Sequence, residues 1–147
     1  MEDGTFYVTL PSNSSKTYYP DNDVSRFKTH LAQTLSIPSE KKYKIGLAEL
    51  ILPFFPSKAG DCYIYSSAAQ PSILGDTYSK LLRVVRVDPK RDTYEFQRVY
   101  FHDLEAREIN TIDILLADQD GNKFFTAQTA QNLATIIVLC FTDNPTE

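Results

Sequence analysis

The sequence has few of the residues that metal and thiol chemistry require, since it contains two cysteines, Cys62 and Cys140, and two histidines, His30 and His102. Neither cysteine has another cysteine or a histidine within four residues, which excludes the paired spacing of a structural zinc site. Reduced thiols are the simplest account of two cysteines in a protein made in the cytosol. We therefore expect Cys62 and Cys140 not to be bonded to each other.

Long hydrophobic runs are missing as well, because no apolar stretch approaches the ~18 residues that a membrane-spanning helix needs. The first residues, Met1–Gly4, include two acidic side chains, and no apolar segment follows them. We therefore expect no membrane association and no secretion by a signal peptide. Without secretion, the glycosylation sequon Asn13-Ser14-Ser15 is interpreted as a plain turn.

Positive charge is not in excess, since 15 Lys and Arg residues stand against 19 Asp and Glu residues, for a formal net charge of -4. This balance provides no overall attraction for nucleic acid, and we expect no direct nucleic-acid contact. Basic residues do cluster between Lys80 and Arg91, but at strand spacing they fall on both faces. The cluster is interpreted as a solvated edge or face.

Catalytic motifs are also lacking, because the sequence contains no phosphate-binding loop, no nucleophile elbow and no His-Glu-x-x-His pattern. The segment Asp118–Asn122 resembles the start of a calcium loop, but Lys123 and Thr129 stand where that loop needs Gly and Glu. A hairpin turn is the better interpretation of it. A Cys62–His102 pair is conceivable, but pairs of this kind arise easily by chance. We predict a protein that is not an enzyme and holds no cofactor or metal.

What the sequence does contain is material for a hydrophobic core. Its hydrophobic fraction is 42% and its aromatic fraction 12%, which are typical of a folded globular protein. Nine Tyr and nine Phe with only five Gly suit a β-rich core. No repeat or linker divides the 147 residues, so we predict one domain spanning residues 1–147.

The clearest strand signals lie between Glu108 and Thr142. From Thr111 to Leu116 every second residue is isoleucine or leucine, the period of a strand with one buried face. Asp120-Gly121 then predicts a tight reversal, after which Asn122–Phe125 can pair back on this strand. The segment Thr135–Phe141 is apolar on both faces and rich in β-branched residues, which predicts a central strand covered on both sides.

Other segments alternate in the same way and are separated by turn signals. The predicted strands are Thr5–Leu10, Lys42–Leu52, Asp61–Ser66, and a hairpin of Tyr78–Asp88 with Thr93–His102. In Lys42–Leu52 the pattern places Glu49 on the mainly apolar face. Val24–Ile37 fits a helix slightly better than a strand. The whole pattern predicts an all-β fold, an antiparallel β-sandwich.

Two aromatic pairs lie in predicted loops. Tyr18-Tyr19 follows a turn-rich segment, and Phe54-Phe55 stands between two prolines. These rings either cap the ends of the sandwich or act as anchors in a subunit interface. The candidate interface residues are therefore Tyr18, Tyr19, Phe54 and Phe55.

Four segments together carry a resemblance to a known group of proteins. They are Phe6–Ser15, Tyr19–Asn22, Tyr43–Leu50 with Pro53, and Ile109–Ile114 with Asp118 and Gly121. The set resembles small proteins encoded by Polinton/Maverick-type elements and adintovirus-like viruses of invertebrates. Those elements carry capsid genes, including small single jelly-roll vertex proteins beside a larger double jelly-roll protein.

This resemblance implies a single jelly roll that works as a minor capsid or vertex (penton-like) subunit, without enzymatic activity. Such a subunit would assemble with itself, as a homo-oligomer, or with other capsid proteins, and would reside in the virion after synthesis in the host cytoplasm or nucleus. In the related proteins the segment that matches Val24–Leu31 alternates as a strand, which favours a strand here. They often carry Trp or Tyr soon after the Pro53 position, where this chain has Phe54-Phe55.

The same sequence pattern also fits a second function. The same sandwich could act as a monomeric binding module, a spike or host-factor binder with a ligand site at its loops. The mass of the protein in solution separates the two hypotheses, because a shell subunit forms closed oligomers and a binding module does not.

Overall fold

The computed structural model describes residues 4–38, 40–56, 59–125 and 133–144. The described residues contain eleven strands and no helix. The strands are β1 (Thr5–Pro11), β2 (Arg26–Ser36), β3 (Lys44–Ile51), β4 (Gly60–Ser66), β5 (Ser72–Leu74), β6 (Thr77–Ser79), β7 (Leu81–Val87), β8 (Thr93–Glu95), β9 (Phe101–Asp103), β10 (Glu108–Ala117) and β11 (Ile136–Thr142). The polar connection around residues 128–132 lies outside the described residues.

The strands form two antiparallel sheets that pack as a β-sandwich, so the predicted fold class is confirmed. The first sheet has the order β1-β11-β3-β8, with β9 also paired to β3, and the second has the order β2-β10-β4-β7. Strands β5 and β6 form a separate two-stranded ribbon. The first strand pairs with the last, β2 pairs with β10, β3 with β8 and β9, and β4 with β7. The two halves of the chain are therefore paired along their length, as in one long hairpin that is folded into two sheets.

One hydrophobic core fills the space between the sheets. Phe27 of β2 and Ile64 of β4 face Leu47 of β3 and Phe141 of β11, and all four belong to one buried cluster. In the first half of β2 and along β4 the buried residues alternate with more exposed ones, because successive side chains of a strand point to opposite faces. The segment that fitted a helix or a strand is strand β2, so the helical interpretation of it is wrong.

Strand β11 lies between β1 and β3, as its apolar sequence predicted. Its inward residues, Ile137 among them, are fully buried, whereas Ile136 and Val138 on the outer face are half-buried. The expected cover is complete on the inner face and partial on the outer one, where Cys140 and Thr142 are buried.

Strand β3 contains a bulge that the alternation pattern did not predict. Val138 pairs with Glu49 and the next residue, Leu139, pairs with Leu47, so Ala48 is an extra residue. An extra residue reverses the facing of everything after it. Leu50 consequently turns into the core and Glu49 turns to the half-exposed outer face. The predicted apolar setting of Glu49 was wrong, and the bulge avoids the cost of burying an unpaired carboxylate.

The predicted hairpin of Tyr78–Asp88 with Thr93–His102 was also wrong. Strand β7 pairs with β4 in the second sheet, and β8 pairs with β3 in the first, so the turn between them crosses from one sheet to the other. The hydroxyl of Tyr94 donates a hydrogen bond of 2.9 Å to Arg91 O and accepts one of 2.9 Å from Asp88 N. These bonds hold the crossing turn.

The reversal at Asp120-Gly121 is confirmed. Gly121 has a φ of 85°, a left-handed conformation that glycine adopts without strain. Asp118 Oδ1 accepts hydrogen bonds from the backbone N–H groups of Asp120 and Asn122, which explains the spacing of the acidic residues as turn chemistry. Beyond the turn, Lys123 bridges to Ala117, so the segment pairs back on β10 as predicted.

Candidate interface

The connections that follow β1, β3, β7 and β10 gather at one end of the sandwich, which we call the loop end. Leu52 N donates to Asp92 O at 2.7 Å, which joins the second of these connections to the third. Ser25 Oγ donates to Phe125 O at 3.1 Å and accepts from Phe125 N at 2.8 Å, which joins the first to the fourth. Residues far apart in the sequence are thus held side by side.

A group of phenylalanines lies at the loop end. The Phe54 ring meets the buried Phe125 ring edge-on at a centroid distance of 4.6 Å, and Phe124 meets Phe125 in the same way at 5.0 Å. Phe54 is half-buried, whereas Phe55 is 58% exposed. Of the predicted pair, one ring is therefore held by the core and the other is open to solvent.

Sequence reasoning had identified Phe54 and Phe55 but missed Phe124 and Phe125. The available signal was a second Phe-Phe pair directly after the Asp118–Asn122 turn. Leu133 is another exposed apolar residue of the fourth connection, at 56%, and it lies two residues before Thr135, which donates a hydrogen bond of 2.6 Å to Val24 O in the first connection.

Tyr18 and Tyr19 occupy a different surface, along the outer side of strand β2. The Tyr18 ring stacks on the His30 imidazole with centroids 4.4 Å apart, and its side chain is 63% exposed. The Lys28 ammonium lies 5.6 Å from the centroid of the Tyr19 ring. The structure therefore separates the two predicted aromatic pairs, one at the loop end and one beside β2.

The connection of residues 12–25 lies along β2 because its polar side chains bind the free edge of that strand. Asn22 Oδ1 accepts from Lys28 N at 3.0 Å, and Asn22 Nδ2 donates to Lys28 O at 2.8 Å. Ser15 Oγ accepts from His30 N at 3.0 Å. Asn22 and Ser15 are both buried. An uncovered edge strand invites pairing with other chains, and these bonds satisfy it within the molecule.

A cleft of about 280 Å³ remains between this connection and the strand. Tyr18 and Tyr19 line one side of it, and Arg26 and Lys28 line the other. Asp113, which pairs with Lys28 across the sheet, also lines it. The cleft thus combines aromatic faces with cationic groups.

Asp23 ties the first connection to the fourth. Lys123 Nζ lies 2.6 Å from Asp23 Oδ2. Partial burial raises the pKa of Asp23, but the hydrogen bonds from Lys123 and from the backbone N–H groups of Arg26 and Ser25 lower it by more. The net result is a pKa of Asp23 below its ordinary value, so the carboxylate and its ion pair persist into acid.

The basic cluster between Lys80 and Arg91 is only partly a solvated face. Arg86 is exposed and pairs with Asp61 at 2.9 Å, in agreement with that interpretation. Arg83 departs from it, since its guanidinium lies between two rings, 3.9 Å from the Phe96 centroid and 4.2 Å from the Tyr100 centroid. Desolvation there lowers the pKa of Arg83. This stacking holds the segment after β8 against β7.

Both cysteines are free, as predicted. Cys62 is fully buried, and burial raises the pKa of its thiol; burial also raises the pKa of Cys140. A thiol kept neutral in this way is a poor nucleophile. The Nε2 atom of His102 lies 2.8 Å from Leu82 O and is engaged in that contact.

Among the described residues, no group of three or more His, Cys, Asp and Glu side chains is placed to hold a metal ion. The part of the chain that the structure describes also has no helix long and apolar enough to cross a membrane. No protein-family model matches this chain, and no curated protein matches it either.

Proposed function

We propose that this protein is a non-enzymatic structural subunit, a single jelly roll that assembles with itself or with other capsid proteins of a virus-type shell. The observation that carries the proposal is the strand pairing: β1 with β11, β2 with β10, β3 with β8 and β9, and β4 with β7. This pairing of early with late strands, in a sheet of five strands and a sheet of four, supports a jelly roll, an architecture common in capsid proteins.

The architecture by itself does not select a shell role, because jelly rolls also occur in lectins and cupins. Two further observations support that role. The space between the sheets is filled by apolar side chains such as Ile64, Ile112 and Ile137, so the interior is used for packing. The sequence segments of β1, β3 and β10 resemble those of the small proteins of Polinton/Maverick-type elements.

The loop end supplies the surface through which such a subunit meets its neighbours. Phe55 and Leu133 are each more than half exposed, and Phe54, the chain neighbour of Phe55, is held by the Phe125 ring. Aromatic anchors presented from a rigid base are typical of the few residues that dominate an interface.

The experiment is sedimentation of wild type, Phe55→Ser and Tyr78→Ser at matched concentrations. Phe55→Ser removes an open anchor, and we expect it to weaken association by ~2 kcal/mol, about 30-fold. Tyr78→Ser is the control, because Tyr78 is exposed to a similar degree on the β5–β6 ribbon, away from the loop end. A wild type that stays monomeric at high concentration and binds no capsid partner would show the proposal to be wrong.

The runner-up is a monomeric binding module, and the cleft beside Tyr18 and Tyr19 is the observation that favours it. A concave site of about 280 Å³ with aromatic and charged walls suits a small polar ligand or part of a larger one. Sedimentation separates the two functions, since a strictly monomeric protein is expected for the binding module alone.

A further inference from the structure

The outward face of edge strand β2 carries three basic side chains in a row. Arg26, Lys28 and His30 are all exposed, while Phe27 and Thr29 between them are buried. A strand rises about 3.3 Å per residue, so neighbouring members of this row stand roughly 6.6 Å apart. That interval is comparable to the span of one nucleotide in an extended single strand.

The cationic side chains of this row form no ion pair with the rest of the described residues. Lys41, Lys44, Lys80, Arg86 and Lys123 each form an ion pair. Among the described residues, neither Arg26 nor Lys28 does so. Lys16, in the connection that binds the edge of β2, adds a third full positive charge, against Asp21 and Asp113 at the cleft. The three full positive charges thus exceed the two carboxylates by one, whereas the whole chain has a net charge of -4.

An aromatic face stands directly beside the row. Tyr18 stacks one side of its ring on His30 with an interplanar angle of 22°. The other side is open, as the 63% exposure of the side chain shows. The adjoining cleft, between Tyr19 and Lys28, leaves room for part of a ligand. Cations that follow a backbone, next to aromatic rings that stack bases, are the combination by which proteins hold single-stranded nucleic acids.

The same outward face continues across the sheet. Arg26 pairs with Leu115 of β10, and Leu115 pairs with Tyr65 of β4. Two strand spacings place Tyr65 roughly 10 Å from Arg26, and both Tyr65 and its neighbour Tyr63 are partly exposed. Antiparallel sheets with outward aromatic side chains are a known platform for unpaired bases.

The net charge of -4 predicted no direct nucleic-acid contact, but from this local arrangement we propose that this face of the second sheet binds single-stranded nucleic acid. The phosphates lie along Arg26, Lys28 and His30, and one base stacks on the open side of Tyr18. A duplex is a poorer ligand, because its bases are already stacked and paired and cannot reach the ring. The overall negative charge of the chain weakens long-range attraction, so binding is modest and strongly dependent on salt. The surface is separate from the loop end.

The test is fluorescence anisotropy of a labelled oligothymidylate of about 15 nucleotides, titrated with the protein at several salt concentrations. The variants are R26Q/K28Q and Tyr18→Ala. The matched control is K42Q/K90Q, which removes two exposed cations elsewhere. Circular dichroism confirms that each variant is folded, and sedimentation shows that assembly at the loop end is unchanged.

We expect wild type and control to bind alike. R26Q/K28Q should bind at least 10-fold more weakly, with a salt slope smaller by about 1.4, the value for two lost phosphate contacts of a single strand. Tyr18→Ala should bind about 5- to 140-fold more weakly, the loss of one base–aromatic stack, with the salt slope unchanged because a stacked base is uncharged.

Three results would overturn the proposal. The first is no binding of wild type at low salt. The second is an equal loss in the control, which would indicate general charge attraction. The third is that duplex DNA or heparin binds as well as the oligothymidylate and that Tyr18→Ala has no effect, which would indicate a site for any polyanion.

Discussion

At Gly46 the outer face of strand β3 is covered by the segment around Val99 and Tyr100. A Cβ at this position would overlap Val99 Cγ1 and would lie 2.7 Å from Tyr100 O, a backbone atom that cannot rotate away. The close approach of a second backbone therefore requires glycine here. Adding one methyl group at position 46 therefore tests whether the segment around Val99 lies against β3.

We expect Gly46→Ala to destabilise the protein by about 1–3 kcal/mol through overpacking. The measurement is the midpoint of urea unfolding at an unchanged slope. Gly60→Ala is the matched control, since no described atom lies within 4 Å of the Cβ it would add. If both variants unfold at the wild-type midpoint, the segment around Val99 does not cover Gly46 as described.

At the scale of elements, the edge of strand β2 depends on the side chain of Asn22. It is buried and makes two hydrogen bonds to the backbone of Lys28. Asn22→Ala leaves those backbone groups without partners, and we expect a loss of about 1–3 kcal/mol with faster hydrogen exchange at the Lys28 amide. Asn13→Ala, at an exposed position of the same connection, is the control. An unchanged exchange rate in Asn22→Ala would mean that the connection does not protect the edge.

The Asp23–Lys123 ion pair makes the stability of the folded protein depend on pH. Because the pKa of Asp23 in the folded state is lower than its ordinary value of 3.8, the stability that it contributes is fully present above that value. This contribution is lost as the pH falls through the lower, folded pKa. We expect wild type to lose stability below pH 3.8 more steeply than Asp23→Asn. The asparagine keeps the oxygen that caps Ser25 and Arg26 but not the charge.

The measurement is the free energy of unfolding between pH 7 and pH 2 for both proteins. Asp76→Asn, in the exposed turn of the β5–β6 ribbon, serves as the control and should follow the wild-type curve. Parallel curves for wild type and Asp23→Asn would show that the ion pair does not contribute.

Other features of the elements were beyond the sequence pattern. Alternation located β3 and β7 but not the bulge at Ala48 or the partner of β7. A bulge is selected by how a strand fits its two neighbours, and β3 lies between β11 and β8. The row of Arg26, Lys28 and His30 was visible as alternation with Phe27 once β2 was accepted as a strand. The stacking of the Tyr18 ring on His30 was not visible in the sequence, because it depends on how residues 12–25 fold back along β2.

For the whole molecule, assembly through the loop end should make stability depend on protein concentration. We expect the thermal midpoint of wild type to rise with concentration, and that of Phe55→Ser to stay at the wild-type value for low concentration. Phe54→Ser should have a lower thermal midpoint at every concentration. We expect it to reduce the free energy of unfolding by about 1–3 kcal/mol, since Phe54 packs on the buried Phe125 ring. Calorimetry over a wide concentration range is the measurement. A wild-type midpoint that does not move with concentration would contradict assembly.

The sequence by itself determined where most strands lie and which of their residues face inward. Alternation in β1, β4, β10 and β11, and the glycine at position 121, express local preferences of the backbone and of each side chain for water or core. Only the tertiary structure decided which strands pair and where the loops lie against the sheets. Strand β1 pairs with β11 across most of the chain, and Phe54 meets Phe125 across about half of it. The free energy of such a contact depends on two segments that are far apart in the sequence, so a pattern within one segment cannot predict it.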